Sequence, residues 1–438
     1  MWGYRLPASA FEDGAMSQNS ERVPICVVGC GGMGHRHTLA YHTLEETGMS
    51  NVELMAVCDI NRDNAERIAG EVERLFGRKP LIFTDLDSML ANPDIAAVDV
   101  VTDGSSHHVI ATAALAAGKH ALVEKPLGIT IRACQHIIDA AAEGGTVLAT
   151  AENYRRDPVN RMVRAVIDAG LLDDPLLMIQ TSLGGNDVMA ATPWRHLKEK
   201  GAIGLDMGVH YADIIRYYLG EYALIFGRGL IVEPVRRRPV AENHPLISYR
   251  EQTPTYPETI EATGEDSILA QYVMESGATV QFSHLGGGRG SSRFERSVHG
   301  RRGALDIPRD RTGGAVQLRL GDRTLEGKEI LGLLPDFTLN DITARLFGAD
   351  GVVYDLPDVA HAEMALDARL LAIEYHDFAE AVLQGRAPEV DGRDGMIAVA
   401  AILGAYESAA VGRAVELEEL LSGAVRTYQE EIDDALGL

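Results

Sequence analysis

Val27-Val28-Gly29-Cys30-Gly31-Gly32-Met33-Gly34 decides the fold of this chain. An apolar run at 25–28 leads into it and a helix-forming stretch follows it. Gly29, Gly31 and Gly34 stand in the spacing G-x-G-x-x-G. The first glycine allows a tight turn, the second lets a pyrophosphate approach the backbone, and the third lets helix and strand pack closely. The helix N-terminus then attracts the phosphate charge. In this strand–turn–helix setting the pattern predicts a dinucleotide site, with Gly32 and Met33 among its contacts.

Working outward, short apolar runs at 25–28, 54–58, 81–83, 97–101, 121–123 and 146–149 alternate with helical patterns such as 65–75, 108–117 and 132–142. This alternation predicts a parallel, doubly wound α/β sheet over residues 23–150. The strand at 54–58 ends in Asp59. A carboxylate there accepts from a ribose 2′-hydroxyl and repels a 2′-phosphate, which favours NAD over NADP. Arg62, three residues on, softens that preference. A second strand end carries Glu124-Lys125-Pro126. Ligands of open α/β sheets bind outside the carboxyl ends of the strands, so Lys125 is placed to act on one.

Residues 151–438 read differently. Helices are expected at 157–169, 205–219, 366–383 and 396–410, and strands at 176–181, 293–299, 303–307 and 315–320. Segments 267–274 and 278–285 flank Glu275-Ser276-Gly277 as a hairpin. This predicts an α+β domain with an open, largely antiparallel sheet. Residues 232–261, rich in Pro and Arg, show no period and read as a long loop. Residues 1–22 read as an N-terminal extension.

On the 205–219 helix, Asp206 and His210 are four apart and share a face. Gly204 and Gly208 each cost about 1 kcal/mol relative to alanine, so something large is expected against that backbone. An Asp and a His cleared by glycines suit a ring-shaped cofactor and a sugar hydroxyl.

The balance of 64 acidic against 40 basic residues gives a net charge of −24. That argues against nucleic acid or an anionic membrane as partner. Cys26, Cys30, Cys58 and Cys134 lack metal-ligand or disulfide spacing and read as buried free thiols, consistent with a cytoplasmic protein without a metal. In so acidic a chain the basic runs stand out. Trp194-Arg195-His196-Leu197-Lys198-Glu199-Lys200 precedes the Asp/His helix, and Asn153-Tyr154-Arg155-Arg156 follows the last strand of the first domain. Tyr154, Arg155, Arg156, Trp194, Arg195, His196 and Lys200 are therefore candidate substrate residues. The arginines would select an anionic group and Trp194 would stack on a sugar face.

Together the glycine loop, Glu124-Lys125-Pro126, Asp206-x-Gly208-x-His210, and the tail from Val390-Asp391-Gly392-Arg393-Asp394-Gly395 to Tyr406-Glu407-Ser408-Ala409 resemble the Gfo/Idh/MocA oxidoreductases. The resemblance implies a Rossmann domain, then a domain whose open sheet forms a homodimer or homotetramer interface, with the last helices packing back on the first domain. It implies a catalytic set of Lys125, Asp206 and His210. His210 would take a hydroxyl proton, Lys125 would hold the substrate oxygen, and Asp206 would orient His210 or meet a neighbouring hydroxyl. Glu124, Thr102, His107 and Lys125 itself would lie at the cofactor. Two positions depart from the family pattern: Asp103 replaces a proline after the fourth strand, and Ala202 replaces a glycine before Asp206.

The leading expectation is NAD-dependent oxidation of a sugar, sugar-acid or cyclitol hydroxyl. The alternative is an NAD-dependent glycoside hydrolase that oxidises C3 transiently, eliminates the aglycone and returns the hydride, with Tyr154 or Tyr211 as further candidate bases. A sugar-sensing regulator would not need the complete Lys/Asp/His set.

Overall fold

The computed structural model describes residues 22–243, 247–348, 351–352 and 362–438; the expected extension at 1–22 lies, except for Arg22, outside them. Strands β1 (Val23–Val28), β2 (Val52–Cys58), β3 (Leu81–Phe83), β4 (Ala97–Val100), β5 (His120–Glu124) and β6 (Leu148–Ala151) form a parallel sheet. Its order is β3-β2-β1-β4-β5-β6, the dinucleotide-binding order, which reverses direction between β1 and β4. Buried β-branched and small residues such as Ile25, Val27, Val98 and Val100 fill both faces, as a sheet covered by helices on each side requires.

The second domain is built on β7 (Pro175–Leu183), β8 (Tyr222–Leu230), β9 (Val235–Arg237), β10 (Thr259–Glu261), β11 (Ser267–Met274), β12 (Thr279–Leu285), β13 (Arg293–Gly300), β14 (Gly303–Ile307), β15 (Gln317–Leu320), β16 (Arg323–Glu326) and β17 (Val415–Glu416). Nine of them form one sheet, β16-β15-β14-β13-β7-β12-β11-β8-β17. It is antiparallel except where β7 runs parallel to β12, and the expected hairpin forms as β11–β12. One face packs on the helices Ala202–Leu219 and Gly392–Val411. The latter is apolar and long enough by composition to cross a membrane, yet 78% of its apolar window is buried inside the protein. The helix Ala362–Gln384 returns to the first domain and packs along Gly32–Glu46.

Two local readings change. Residues 232–261 read as one long loop, of which 244–246 lie outside the described residues; among the described ones β9 and β10 pair antiparallel, and a short helix, Ile247–Gln252, lies between them. Gly204 and Gly208 do not clear space for a cofactor. A Cβ at Gly204 would meet the Tyr406 hydroxyl at 2.6 Å, and one at Gly208 would meet Ile402 at 2.9 Å. These glycines let the helix Ala202–Leu219 sit tightly against its neighbours, with Asp206 and His210 turned the other way.

Candidate active site

A cleft of about 710 Å³ runs along the carboxyl ends of the parallel strands. The glycine loop forms one wall. Gly29 has φ +106°, and a Cβ there would press on the Val101 carbonyl at 2.9 Å. A Cβ on Gly31 would meet nothing within 4 Å, so this backbone faces open space, whereas one on Gly34 would strike the Gly29 carbonyl at 2.1 Å. Gly34 thus closes helix on strand behind the cleft. Met33 lines the cleft, as does Asp59, whose carboxylate accepts from the Cys30 amide at 2.7 Å and the Asn61 amide at 2.8 Å. An open backbone cradle, a helix N-terminus and a carboxylate at the end of β2 fit a dinucleotide. Arg62 is not part of this wall; it is exposed and pairs with Glu66 at 3.5 Å.

The catalytic candidates converge on the other side. Lys125 Nζ donates to the Asp206 carbonyl and to Asp206 Oδ1, both at 2.9 Å. Arg195 Nε donates to Asp206 Oδ2 at 3.0 Å. Burial alone would raise the Asp206 carboxyl, but Lys125 and Arg195 outweigh it and hold it well below the usual carboxylate range. Asp206 does not reach His210, contrary to the expectation that it would orient that ring. Glu152, which sequence reasoning missed, does so: both its oxygens lie 2.8 Å from His210 Nδ1. The same end-of-strand logic that singled out Lys125 applies to Glu152, which follows β6 directly. Tyr154 stacks on His210 with ring centroids 4.1 Å apart and planes at 4°. Burial pushes the Tyr154 hydroxyl well above its ordinary value; Tyr211 touches Tyr154 edge-on and does not line the cleft.

Thr102, Glu124, Trp194 and Arg195 line the cleft, the Arg195 guanidinium lying 4.4 Å from the centre of the Trp194 ring. Five other candidates are committed elsewhere. His107 bridges the Pro126 and Thr102 carbonyls. Arg155 grips Asp213 with both arms, and Arg156 reaches Asp377 and Glu389. His196 accepts from the Ala190 amide at 2.9 Å, and burial, reinforced by Arg236, pushes its imidazole down to about 4. Lys200 donates to Ser105 at 2.9 Å. The basic runs therefore mostly tie the second domain together, because a buried guanidinium must find carboxylates. Ala202, the departure before Asp206, takes φ +50°, a conformation glycine accepts without strain. Asp103 caps the turn that follows it by accepting from the Ser105 amide. All four cysteines are free and buried.

Against Glu124 lies a fully buried imidazole. His37 Nδ1 meets Asp99 at 2.7 Å and Nε2 meets Glu124 at 3.3 Å. Two carboxylate acceptors require both ring nitrogens to donate, so His37 is an imidazolium. Burial would lower it, but Asp99 and Glu124 raise it to about 10. A raised folded-state value stabilises fully below the unfolded value of about 6.5, and the contribution is lost as pH climbs through the folded value. The melting temperature is therefore expected to fall between about pH 7 and 10, and His37→Gln to be less stable at neutral pH with a flatter alkaline profile. An equal slope in both proteins would refute this.

Residues 23–152 match the family model described as oxidoreductase family, NAD-binding Rossmann fold, and residues 160–306 match the GFO/IDH/MocA C-terminal domain. Levoglucosan dehydrogenase of Pseudarthrobacter phenanthrenivorans is 32% identical over 210 residues, covering 47% of this chain and 53% of that enzyme. Inositol 2-dehydrogenase of Pseudomonas savastanoi pv. phaseolicola is 33% identical over 153 residues, covering 35% and 43%. The chain thus spans about half the length of these curated relatives. Among solved structures, levoglucosan dehydrogenase in complex with NADH and levoglucosan superimposes with a TM-score of 0.70 at 22% identity, over 91% of this chain and 100% of that one. At that identity the likeness speaks for the fold.

Proposed function

We infer the function from one premise: the chain belongs to the GFO/IDH/MocA oxidoreductase family and carries its NAD-binding Rossmann domain. We propose that it oxidises a secondary hydroxyl of a sugar, sugar acid or cyclitol. The observation that carries this reading is the convergence of Lys125 and His210 on one cleft, each held by its own buried carboxylate, Asp206 and Glu152. The dehydrogenase names of the relatives agree with it.

NAD, when bound, supplies the hydride acceptor. Glu152 holds the proton on His210 Nδ1 and leaves Nε2 to take the hydroxyl proton. Two of the three Lys125 protons are spent on Asp206, and the third serves the substrate oxygen as negative charge develops there. Asp206 is a fixed anion that aims Lys125 and Arg195. Trp194 supplies an apolar wall on which a sugar ring can stack. Asp59 places a negative charge where a 2′-phosphate would lie, so NAD is favoured over NADP.

The test incubates the purified protein with NAD or NADP and a panel of sugars, sugar acids, cyclitols and aryl glycosides. NADH accumulation with a sugar or cyclitol, at least about tenfold faster than with NADP, is the expected result. Aglycone release without NADH accumulation would replace the reading with a redox-neutral glycosidase.

The open face of the nine-stranded sheet supports self-association. Leu224 and Phe226 on β8 stand opposite Val273 and Gln271 on β11, and Phe226 is 55% exposed. Leu269 and Leu177 extend the same apolar band, of the kind that marks an interface. A homodimer or homotetramer is expected in light scattering, and Phe226→Glu is expected to shift it to monomer. Monomeric wild-type protein would reject this interface.

A further inference from the structure

The short helix Ile247–Gln252 reaches from the second domain to the glycine loop of the first. Tyr249, on that helix, is only 6% exposed. A Cβ built on Gly32 would lie 2.1 Å from its ring, so the phenol rests directly on the glycine backbone. Tyr249 and Gln252 both line the cleft. Arg195, the partner of Asp206, interacts with the Tyr249 hydroxyl. The hydroxyl end of Tyr249 therefore lies against the cofactor loop and beside Arg195.

The support for this helix is fixed at its base. β9 and β10 pair with each other, and Arg236 is in a buried ion pair with Asp266. Arg237 pairs with Asp187 at 2.7 Å, and Met189 donates its amide to the Arg237 carbonyl at 2.8 Å. A base anchored in one domain with its tip on the other resists separation mainly through the contact at the tip.

We propose that Tyr249 is a cofactor-retaining residue: its ring closes the cleft over the glycine loop and slows departure of the dinucleotide. Gly31 then leaves room for the pyrophosphate and Gly32 leaves room for the ring. The interaction with Arg195 links the ring to the position of Asp206. The inference rests on NAD binding and does not depend on which substrate is oxidised.

The test is NADH release from the preloaded protein, followed by stopped-flow fluorescence while excess NAD displaces it. Affinity changes of this kind appear mostly in the off-rate. Tyr249→Ala is expected to speed release about tenfold or more, and Tyr249→Phe, which keeps the ring, by less than about threefold. Gly32→Ala forces its methyl into the phenol and is also expected to speed release. In the Tyr249→Ala background the same change should add less, because its collision partner is gone. Release from Tyr249→Ala within about twofold of wild type, or full additivity of the two substitutions, would overturn the proposal. Should Tyr249→Ala fail to fold, an unchanged off-rate in Gly32→Ala overturns it alone. The readout is binding, so a protein that oxidises no sugar still decides the matter: fast release in Tyr249→Ala would uphold this role while the dehydrogenase reading fell.

Discussion

Lys125→Met is expected to lower kcat for the true substrate by about 10²–10³-fold, the usual cost of losing one donor aimed at a developing oxyanion. Methionine keeps most of the apolar stem of a side chain that is 13% exposed, and deletes only the charge and its three donors. Asp206 is not stranded by the change, because Arg195 still donates to it at 3.0 Å. The cost of an unpaired buried carboxylate is thereby avoided, and NADH affinity should stay within about threefold of wild type if Lys125 serves the substrate oxygen alone. Lys125→Arg should not restore activity, since a planar fork cannot occupy the place of a compact ammonium already bonded twice to Asp206. A Lys125→Met enzyme with kcat within about tenfold of wild type would remove Lys125 from the chemistry.

The first domain was legible because its signals are local. Glycine spacing, buried β-branched runs and amphipathic helices each specify their own few residues, and all agree on one parallel, doubly wound sheet. Asp59 and Lys125 followed from one rule, that strand ends face the ligand. The arginines misled for a physical reason. A basic residue near a pocket looks the same in sequence whether it faces a substrate or a buried acid, and the acids that claim Arg156, Asp377 and Glu389, lie more than 200 residues away. Gly204 and Gly208 misled likewise: a missing side chain announces a close neighbour and does not say whether it is a cofactor or another helix. Tyr249 carried no signal at all, since its contact with Gly32 depends on how an irregular segment crosses between domains.

Glu152→Gln should separate orientation from charge at His210. The carboxylate receives the Nδ1 proton at 2.8 Å and also accepts from the Tyr154 amide at 3.0 Å. Burial would raise this carboxyl, but His210, the Tyr154 amide and Lys125 bring it below its usual range. It is therefore anionic at neutral pH and both selects the tautomer and steadies the imidazolium that forms when His210 takes the substrate proton. Glutamine is isosteric, and its amide nitrogen donates to Nδ1 as readily as its oxygen accepts. In that arrangement the proton sits on Nε2, where it blocks the base. A loss of about 10²–10⁴-fold in kcat follows, comparable to removing a general base or reversing the tautomer in a catalytic triad. The stack of Tyr154 on His210 remains, so substrate KM and NADH affinity should change little, and the loss should fall on kcat. Glu152→Asp, a shorter anion, should recover part of the rate, because it restores the charge at a longer reach. Equal losses in the Gln and Asp variants, or a Gln variant with near-normal kcat, would show that Glu152 shapes the pocket and does not set the proton on His210.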